Sequence, residues 1–553
     1  MKKKLLSLLL ALSGFYTYGQ LQVGLESNSQ WYVDDNKIKL SENDAEERFR
    51  SGNYLKADYY LKKWEFGVQL ESYAPKAPMN YNELFDKFNV GTIYTRFNDT
   101  ESGVDATVGH FYDQFGSGLA FRSWEDRQLG INNAVFGARI NYTFADQAIK
   151  STLLGGRQRI GMGFDLAKSM LYGANLEVSL SDLMSMEDFE LALGASYVLR
   201  YENITDLFPN ADKTTTVTSA RVDLGKGGFH WGVEYAFKSK DLPVEFFEIQ
   251  NDLPKRSGSA LLMNMGYSQK GFGVTANLRR MENFSFYSER GLAGNLYNQG
   301  VVNYIPALTK QYDFSLQNIY VYQAQPNLTF IPLEKSGEIG GQVDLFYTFE
   351  QGSPLGGQFG TEIALNGSYW SGLKNSNVDL ETRNMDVEFL EFGQKYYSDL
   401  GIEITKRWTE KWDTKFSYLK QYYHKKYVED TFGEVNSHFV GAEATYRFGT
   451  AQSVRLQGQH IWVDEDKKNW AGAMLEYNLN STYGFFVNDI YNYGNEEEEQ
   501  KIHYYNVGMS YTKSKTRVSV SYGRQRGGLL CVGGVCRMVS EAAGLTVGIS
   551  TAF

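Results

Sequence analysis

The chain has 553 residues, a formal net charge of -10, 15% aromatic residues with 39 Tyr, and only 9 Pro and 2 Cys. No basic stripe is present that could track a phosphate backbone, which excludes nucleic acid as a partner, and no Ser/Pro-rich linker or shift in composition divides the chain into domains. A mean hydropathy of -0.41 excludes a bundle of membrane helices but not a membrane β-barrel, in which only alternate residues meet lipid.

Lys2, Lys3 and Lys4 form a basic n-region, and Leu5 to Leu12 form an apolar stretch too short to span a bilayer. Thr17 and Gly19 then supply small side chains, so residues 1–19 read as a signal peptide cleaved before Gln20. No Cys follows that site to carry a lipid anchor, and loss of the three lysines makes the mature chain three units more acidic. Residues 20–553 read as one barrel. Its first strand begins within a few residues of Gln20, which leaves no room for an N-terminal plug domain and argues against a TonB-dependent receptor.

Phe115 to Arg139 (FGSGLAFRSWEDRQLGINNAVFGAR) sets Arg122, Arg127 and Arg139 beside Glu125 and Asp126 among several glycines. Opposed charges folded into a lumen would make a constriction that selects solutes, with Arg157 and Arg159 joining from a neighbouring strand. Solvated loop charges and salt bridges bracing a wide barrel are the alternative, and both readings stay open. Phe284 to Gln311 lacks alternation and is too apolar for a solvated loop; it is expected to fold inward and plug the barrel rather than dock a partner. Parity of the strand count fails once, between Phe314 and Glu338, so that either a short strand near Leu328 is missing from the count or one strand has been split in two.

Farther on, period-two alternation is regular. Val440, Ala442, Ala444, Tyr446 and Phe448 alternate with Gly441, Glu443, Thr445 and Arg447. Tyr505, Val507, Met509 and Tyr511, then Val518, Val520 and Tyr522, repeat the pattern. Charges such as Glu443 and Arg447 are costly in a dry core and cheap in a watery lumen. Connections alternate long and short: a long loop is expected over Gly372 to Lys395, a short turn at Thr409 to Lys411, a long loop with four glutamates at Asn492 to Gln500, and a short turn at Thr512 to Lys515. All nine prolines, from Pro75 to Pro354, fall in loops or turns. The expected fold is a single antiparallel transmembrane β-barrel of 24 or 26 strands with long extracellular loops.

Cys531 and Cys536 flank Val-Gly-Gly-Val, which reads as a tight hairpin in which the two cysteines face each other. In an exported chain a disulfide is expected there, holding the tip of an external loop; a metal site is the poorer reading. The last strand, Gly544 to Phe553, carries Leu545, Val547, Ile549, Thr551 and Phe553 on one face. A terminal Phe closing such a strand, with Ile549 and Val547 behind it, resembles the signal read by the barrel-assembly machinery.

Nothing points to catalysis. His110, His230, His424, His438, His460 and His503 show no ligand spacing, Asn436-Ser437-His438 lacks the spacing of a membrane phospholipase site, and Glu496 to Glu499 read as a solvated acidic loop. No cofactor, metal or catalytic residue is assigned. The signal peptide ending Tyr18-Gly19-Gln20, the FGSGLAFRSWEDRQLG stretch, the YIPALTKQ run and the CVGGVCR hairpin resemble an uncharacterised family of Bacteroidota outer-membrane β-barrel proteins, a domain of unknown function. The resemblance spans the mature chain and implies fold and location but no site residues; outer-membrane lipid and, through the terminal strand, the assembly machinery are the expected partners. The leading functional expectation is a porin-like channel for small solutes. The alternative is a non-conducting scaffold or accessory subunit of an outer-membrane secretion or uptake complex.

Overall fold

The structure is a computed structural model and describes residues 19–40, 46–82, 84–245, 248–329, 335–379, 384–431, 433–532 and 535–553. The expected signal peptide falls almost wholly outside them. Twenty-four strands, each antiparallel to the next, form one sheet. The first strand, Gln20–Tyr32, pairs with Phe49–Leu61 on one side and with the last, Ala542–Ala552, on the other. That second pairing closes the sheet, and closure removes the exposed edges that an open sheet of this width would present.

Alternation explains why these residues form these strands. In Ser453–Val463, Leu456 and Trp462 are exposed on the outside, while Gln457, Gln459, Ile461 and Val463 are buried inside. Phe416, Val487, Val507, Leu545 and Ile549 continue the exposed apolar band around the barrel. Such a band is stable only against hydrocarbon, since alternate residues facing water would forfeit the gain from burying them. Glu443 faces the lumen as expected, accepting a hydrogen bond of 2.6 Å from Gln457 Nε2, and Arg447 pairs with Asp413.

One rim carries short turns and both ends of the barrel sheet. The turn between Thr214–Lys226 and Phe229–Asp241 is Gly227-Gly228, with Gly227 at φ +58, where a side chain would be strained. Ring pairs line this rim: Trp64–Phe97 at 5.0 Å, Tyr142–Phe144 at 5.2 Å, Tyr347–Phe349 at 4.8 Å and Trp412–Tyr446 at 5.7 Å. An aromatic belt of this kind suits a membrane–water interface.

The wall departs from expectation in two places. Gly372 to Lys395 is not a loop: strands Thr361–Asp379 and Asn384–Arg407 continue through it as one tall hairpin. Its register slips repeatedly above Trp370, and such irregularities blur the alternation that would have shown it as strand. Among the described residues there is no wall strand near Leu328; Leu328–Thr329 pairs with Lys335–Ser336 in a two-stranded sheet of its own. The even count of 24 holds because the whole stretch 283–337 is an insertion between neighbouring strands.

Candidate functional site

The insertion leaves strand Phe272–Glu282 and returns to Glu338–Phe349, and Met281 is the register partner of Glu338. Between them the chain folds into the lumen, as its apolar character predicts. Phe284, Phe286, Val302, Phe314 and Leu316 are buried almost completely. Phe284, Phe286 and Val302 pack on the inward residues Leu171, Val198, Val217 and Ala260 of the wall. Phe314 and Leu316 join Trp370, Leu419, Phe439 and Ile461 on the opposite wall. At about 1.5–3 kcal/mol for each large apolar side chain buried, these five hold the plug by roughly 10 kcal/mol before ordering costs.

Charged contacts fix where it sits. The Glu338 carboxylate accepts hydrogen bonds from Arg279 Nε at 2.9 Å and Nη2 at 2.5 Å, from Gln325 N at 2.9 Å, and from the Tyr322 hydroxyl. Arg279 and Glu338 have no exposed surface, and the Arg279 guanidinium lies 4.6 Å from the Trp370 ring centre. Across the lumen, Arg290 of the plug donates to Glu202 Oε2 at 2.5 Å and to Asp241 Oδ1 at 2.7 Å. Arg200 donates to the other Asp241 oxygen at 2.7 Å, and Lys238 Nζ reaches Ser285 O at 2.8 Å. Lys310 pairs with Glu403 at 2.7 Å and Lys415 with Asp313 at 2.5 Å. Buried charges tolerate few arrangements, because each must find its partner to offset desolvation. They therefore specify one seat for the plug.

Segment 112–134 also folds inward, and is knitted to the plug by Arg122 N to Val302 O at 2.8 Å and Tyr304 N to Gly118 O at 2.9 Å. Gly118 has φ +96, and a Cβ there would sit 3.0 Å from Tyr304 Cβ, so glycine permits the close approach. Phe115, Leu119 and Phe121 are fully buried.

The five charges singled out in this segment do not converge on one constriction. Arg127 bonds Glu26 at 2.6 Å, lies 3.5 Å from Glu125 and stacks over Tyr54 at 4.7 Å. Arg122 lies between the rings of Trp124 and Tyr304, at 4.6 and 4.0 Å, and has no carboxylate partner among the described residues. Asp126 caps a turn by accepting from Gln128 N and Leu129 N, both at 2.9 Å. Arg139 stands on the wall strand Val135–Phe144 and pairs with Asp105 at 3.2 Å and Asp113 at 3.5 Å. Nor do the two further arginines join: Arg157 donates to Ala167 O at 2.5 Å, and Arg159 forms a fully buried pair with Glu71. Backbone turns intervene between these residues, and linear proximity did not reveal that.

Above the plug, at the long-loop end, lies a cavity of about 910 Å³. Its floor is the plug itself, through Tyr287, Asn303, Tyr304 and Gln323; loops 76–81, 428–431 and 536–540 give it sides. Aromatic rings, side-chain amides and aliphatic side chains make up most of the lining, with three cations (Arg50, Lys76, Lys335) and three carboxylates (Glu245, Glu429, Asp430) among them. Lys335, one of its few cations, is already bonded to Gln325 Oε1 and Asp430 Oδ1, both at 3.1 Å, and burial pulls its pKa below the ordinary lysine value. Rings and amides with few free charges suit a small, neutral, hydrogen-bonding solute. No cue in the linear sequence marked this cup, since its residues come from separate segments spread between Arg50 and Ser540.

Beside the cup, Gly528–Val532 pairs with Val535–Val539, and the register sets Cys531 opposite Cys536. The Cys531 side chain and the Gly533-Gly534 tip lie outside the described residues. Phe553 is exposed and its N–H donates to Val23 O at 2.8 Å, so the terminal aromatic sits at the barrel's closing seam. Among the described residues no group of three His, Cys, Asp or Glu could hold a metal ion.

The family of unknown function DUF6029 matches residues 1–553. No curated protein matches the chain by sequence. Among solved structures it is similar to the translocation pore of the P pilus usher PapC, at 8% identity and TM-score 0.43, covering 96% of this chain and 99% of that one. The siderophore receptor PirA from Pseudomonas aeruginosa aligns at 10% identity and TM-score 0.41, covering 97% of this chain and 80% of the receptor. A BenF-like porin from Pseudomonas fluorescens Pf-5 aligns at 9% identity and TM-score 0.35, covering 82% and 96%.

Proposed function

The chain belongs to the DUF6029 family, a family of unknown function, and we propose that it is a normally closed, solute-gated channel of the outer membrane, reached by export on signal peptide 1–19 in a bacterium of the Bacteroidota. The observation that carries this reading is the double role of the plug. The segment whose Phe284, Phe286, Val302, Phe314 and Leu316 fill the lumen also forms the floor of the external cup, through Tyr287, Asn303, Tyr304 and Gln323. A solute in the cup therefore touches the element whose displacement would open the passage. A ligand shifts an equilibrium only by its differential affinity for the two states, and direct contact with the moving element supplies one. The polar, partly solvated residues below the plug, such as Arg455 and Glu476 paired at 2.6 Å, fit an aqueous route toward the short-turn rim.

Liposome swelling tests the reading. Because Met281 and Glu338 are register partners, residues 284–336 can be replaced by a short Gly/Ser turn without stretching the wall. The variant should admit small neutral sugars steadily, and the wild type far more slowly. Equal rates for both proteins would refute a gate.

A second reading, a non-conducting scaffold, draws on the tall hairpin. Phe389, Leu390 and Phe392 are exposed on it, a surface that would suit a partner subunit. It is favoured if the plug-deleted barrel also fails to conduct and the purified wild type carries a stoichiometric companion.

A further inference from the structure

Four adjacent wall strands, Asn384–Arg407, Trp412–His424, Glu434–Arg447 and Ser453–Val463, share one cross-strand row in which Leu400, Lys420, His438 and Trp462 are successive register partners. Alternation settles which way the row points. The chain neighbours Leu419, Phe439 and Ile461 are buried in the lumen cluster, whereas all four members of the row are exposed on the outer face. A lysine and a histidine thus stand where the rest of the barrel presents apolar residues.

Their height explains how that is tolerated. Lys420 is eight residues above Trp412 of the aromatic belt. At ~3.4 Å per residue and a tilt of ~40–45° this is roughly 20 Å, close to the ~25 Å height of a lipid-facing apolar band. The row therefore lies at the opposite interface, on the long-loop side. Aromatic anchors surround it: the Tyr418 hydroxyl is 2.8 Å from His438 Nδ1, and the His460 and Trp462 rings are 4.2 Å apart. Lys395 adds a second cation, its Nζ 4.1 Å from the Tyr422 ring centre and 5.7 Å from that of Tyr369.

Glu434 stands at the upper edge of the patch and acts on Lys395, but it does not pair with Lys420. Lys420 has no ion-pair or hydrogen-bond partner among the described residues. Glu434 accepts from the Tyr422 hydroxyl at 3.0 Å and lies 3.5 Å from His424. By contrast Lys415, five residues from Lys420 but facing the lumen, is paired with Asp313 and Glu403.

We propose that this outer face is a binding site for a phosphorylated glycolipid headgroup of the outer leaflet. Lys420 and Lys395 meet the phosphate oxygens. His438, with Nδ1 taken by Tyr418, donates from Nε2, and Trp462 and Tyr422 hold the sugar–acyl boundary. A lipid phosphate fits because cations, rings and apolar residues follow one another in the order that headgroup and acyl chains do. The inference rests on the outer-membrane placement proposed above.

The test uses the full-length barrel in detergent micelles, titrated with fluorescent lipid A that either keeps its phosphates or has been stripped of them, in the presence of excess inorganic phosphate. The phosphorylated lipid should bind, and the stripped lipid should bind at least tenfold more weakly. Lys395→Gln with Lys420→Gln should weaken phosphorylated-lipid binding about thirty-fold, as expected for two lysines at an anionic surface. Lys513→Gln, at the short-turn rim, should change nothing. Equal affinity for the two lipids, an unaffected double variant, or full competition by inorganic phosphate overturns the proposal. The lipid arm needs no variant, so it decides even if a variant misfolds. Membrane fractionation of the wild type tests the placement separately: protein found in the outer membrane that fails the lipid titration sinks the site alone.

Discussion

Replacing Glu338 by Gln would separate the plug from the wall without touching the ladder. The substitution leaves Arg279, fully buried and bonded to Glu338 through Nε and Nη2, as an uncompensated charge. Breaking one partner of a buried pair costs about 3–5 kcal/mol, a factor of roughly 10² to 10³ or more in an equilibrium constant. Local displacement relieves part of that cost, because Tyr322 and Gln325 of the plug share the same carboxylate. Arg279 and Glu338 both stand on wall strands, so the gate feels only the plug's two bonds to Glu338, about 1–3 kcal/mol together. Single-channel recording should show the open fraction of Glu338→Gln rising roughly 10- to 100-fold, while the rest of the cost lowers the thermal stability of the wall. Arg279→Met combined with Glu338→Leu removes both charges and should restore that stability, since apolar replacements of a buried pair are often neutral or stabilising. An unchanged open fraction in the single variant, or a double variant as unstable as the single one, would refute this division of the cost.

Asp466 gives a pH dependence. Burial opposes its ionisation, yet hydrogen bonds from Lys425 at 2.5 Å and the plug's Tyr320 hydroxyl at 3.0 Å outweigh burial and hold its pKa below the ordinary carboxylate value. A depressed carboxylate stabilises fully above its unfolded pKa of about 3.9 and loses that contribution as pH falls through the folded value. Proteolysis of the plug should accelerate below about pH 4 in the wild type, and Asp466→Asn should abolish that acid step. Deleting Phe553 should lower the amount of assembled, heat-modifiable barrel while leaving export intact; normal assembly would remove its proposed role at the seam. Thiol labelling of native protein without reductant should find Cys531 and Cys536 blocked, and two reactive thiols would disprove the disulfide.

The wall was legible because its rule is local. Leu545 and Ile549 had to face out and Glu443 had to face in, and a period of two shows that in a few residues. The plug was legible by contradiction, since Phe284 to Gln311 was too apolar for water and too irregular for the wall. Its latches were not. Arg290 and Glu202 are 88 positions apart, Asp313 and Lys415 are 102 apart, and only strand order brings them together. The same limit explains the reading of 115–139. Its arginines and acids are close in sequence, but turns send Arg127 to Glu26 and Arg122 to Tyr304. The tall hairpin was hidden because its slipped register interrupts the alternation.

The central claim is that the plug moves and that conduction depends on it. Gln317 of the plug donates to Ser417 of the wall at 2.9 Å, so Gln317→Cys and Ser417→Cys, with Cys531→Ser and Cys536→Ser, place one thiol on each part. Bridging these thiols with a reducible crosslinker and recording a single channel before and after reductant tests the claim in one molecule. In a protein that also carries Glu338→Gln to loosen the plug, openings should be absent while the bridge holds and should appear when it is cut. Unchanged conductance across reduction would contradict the account.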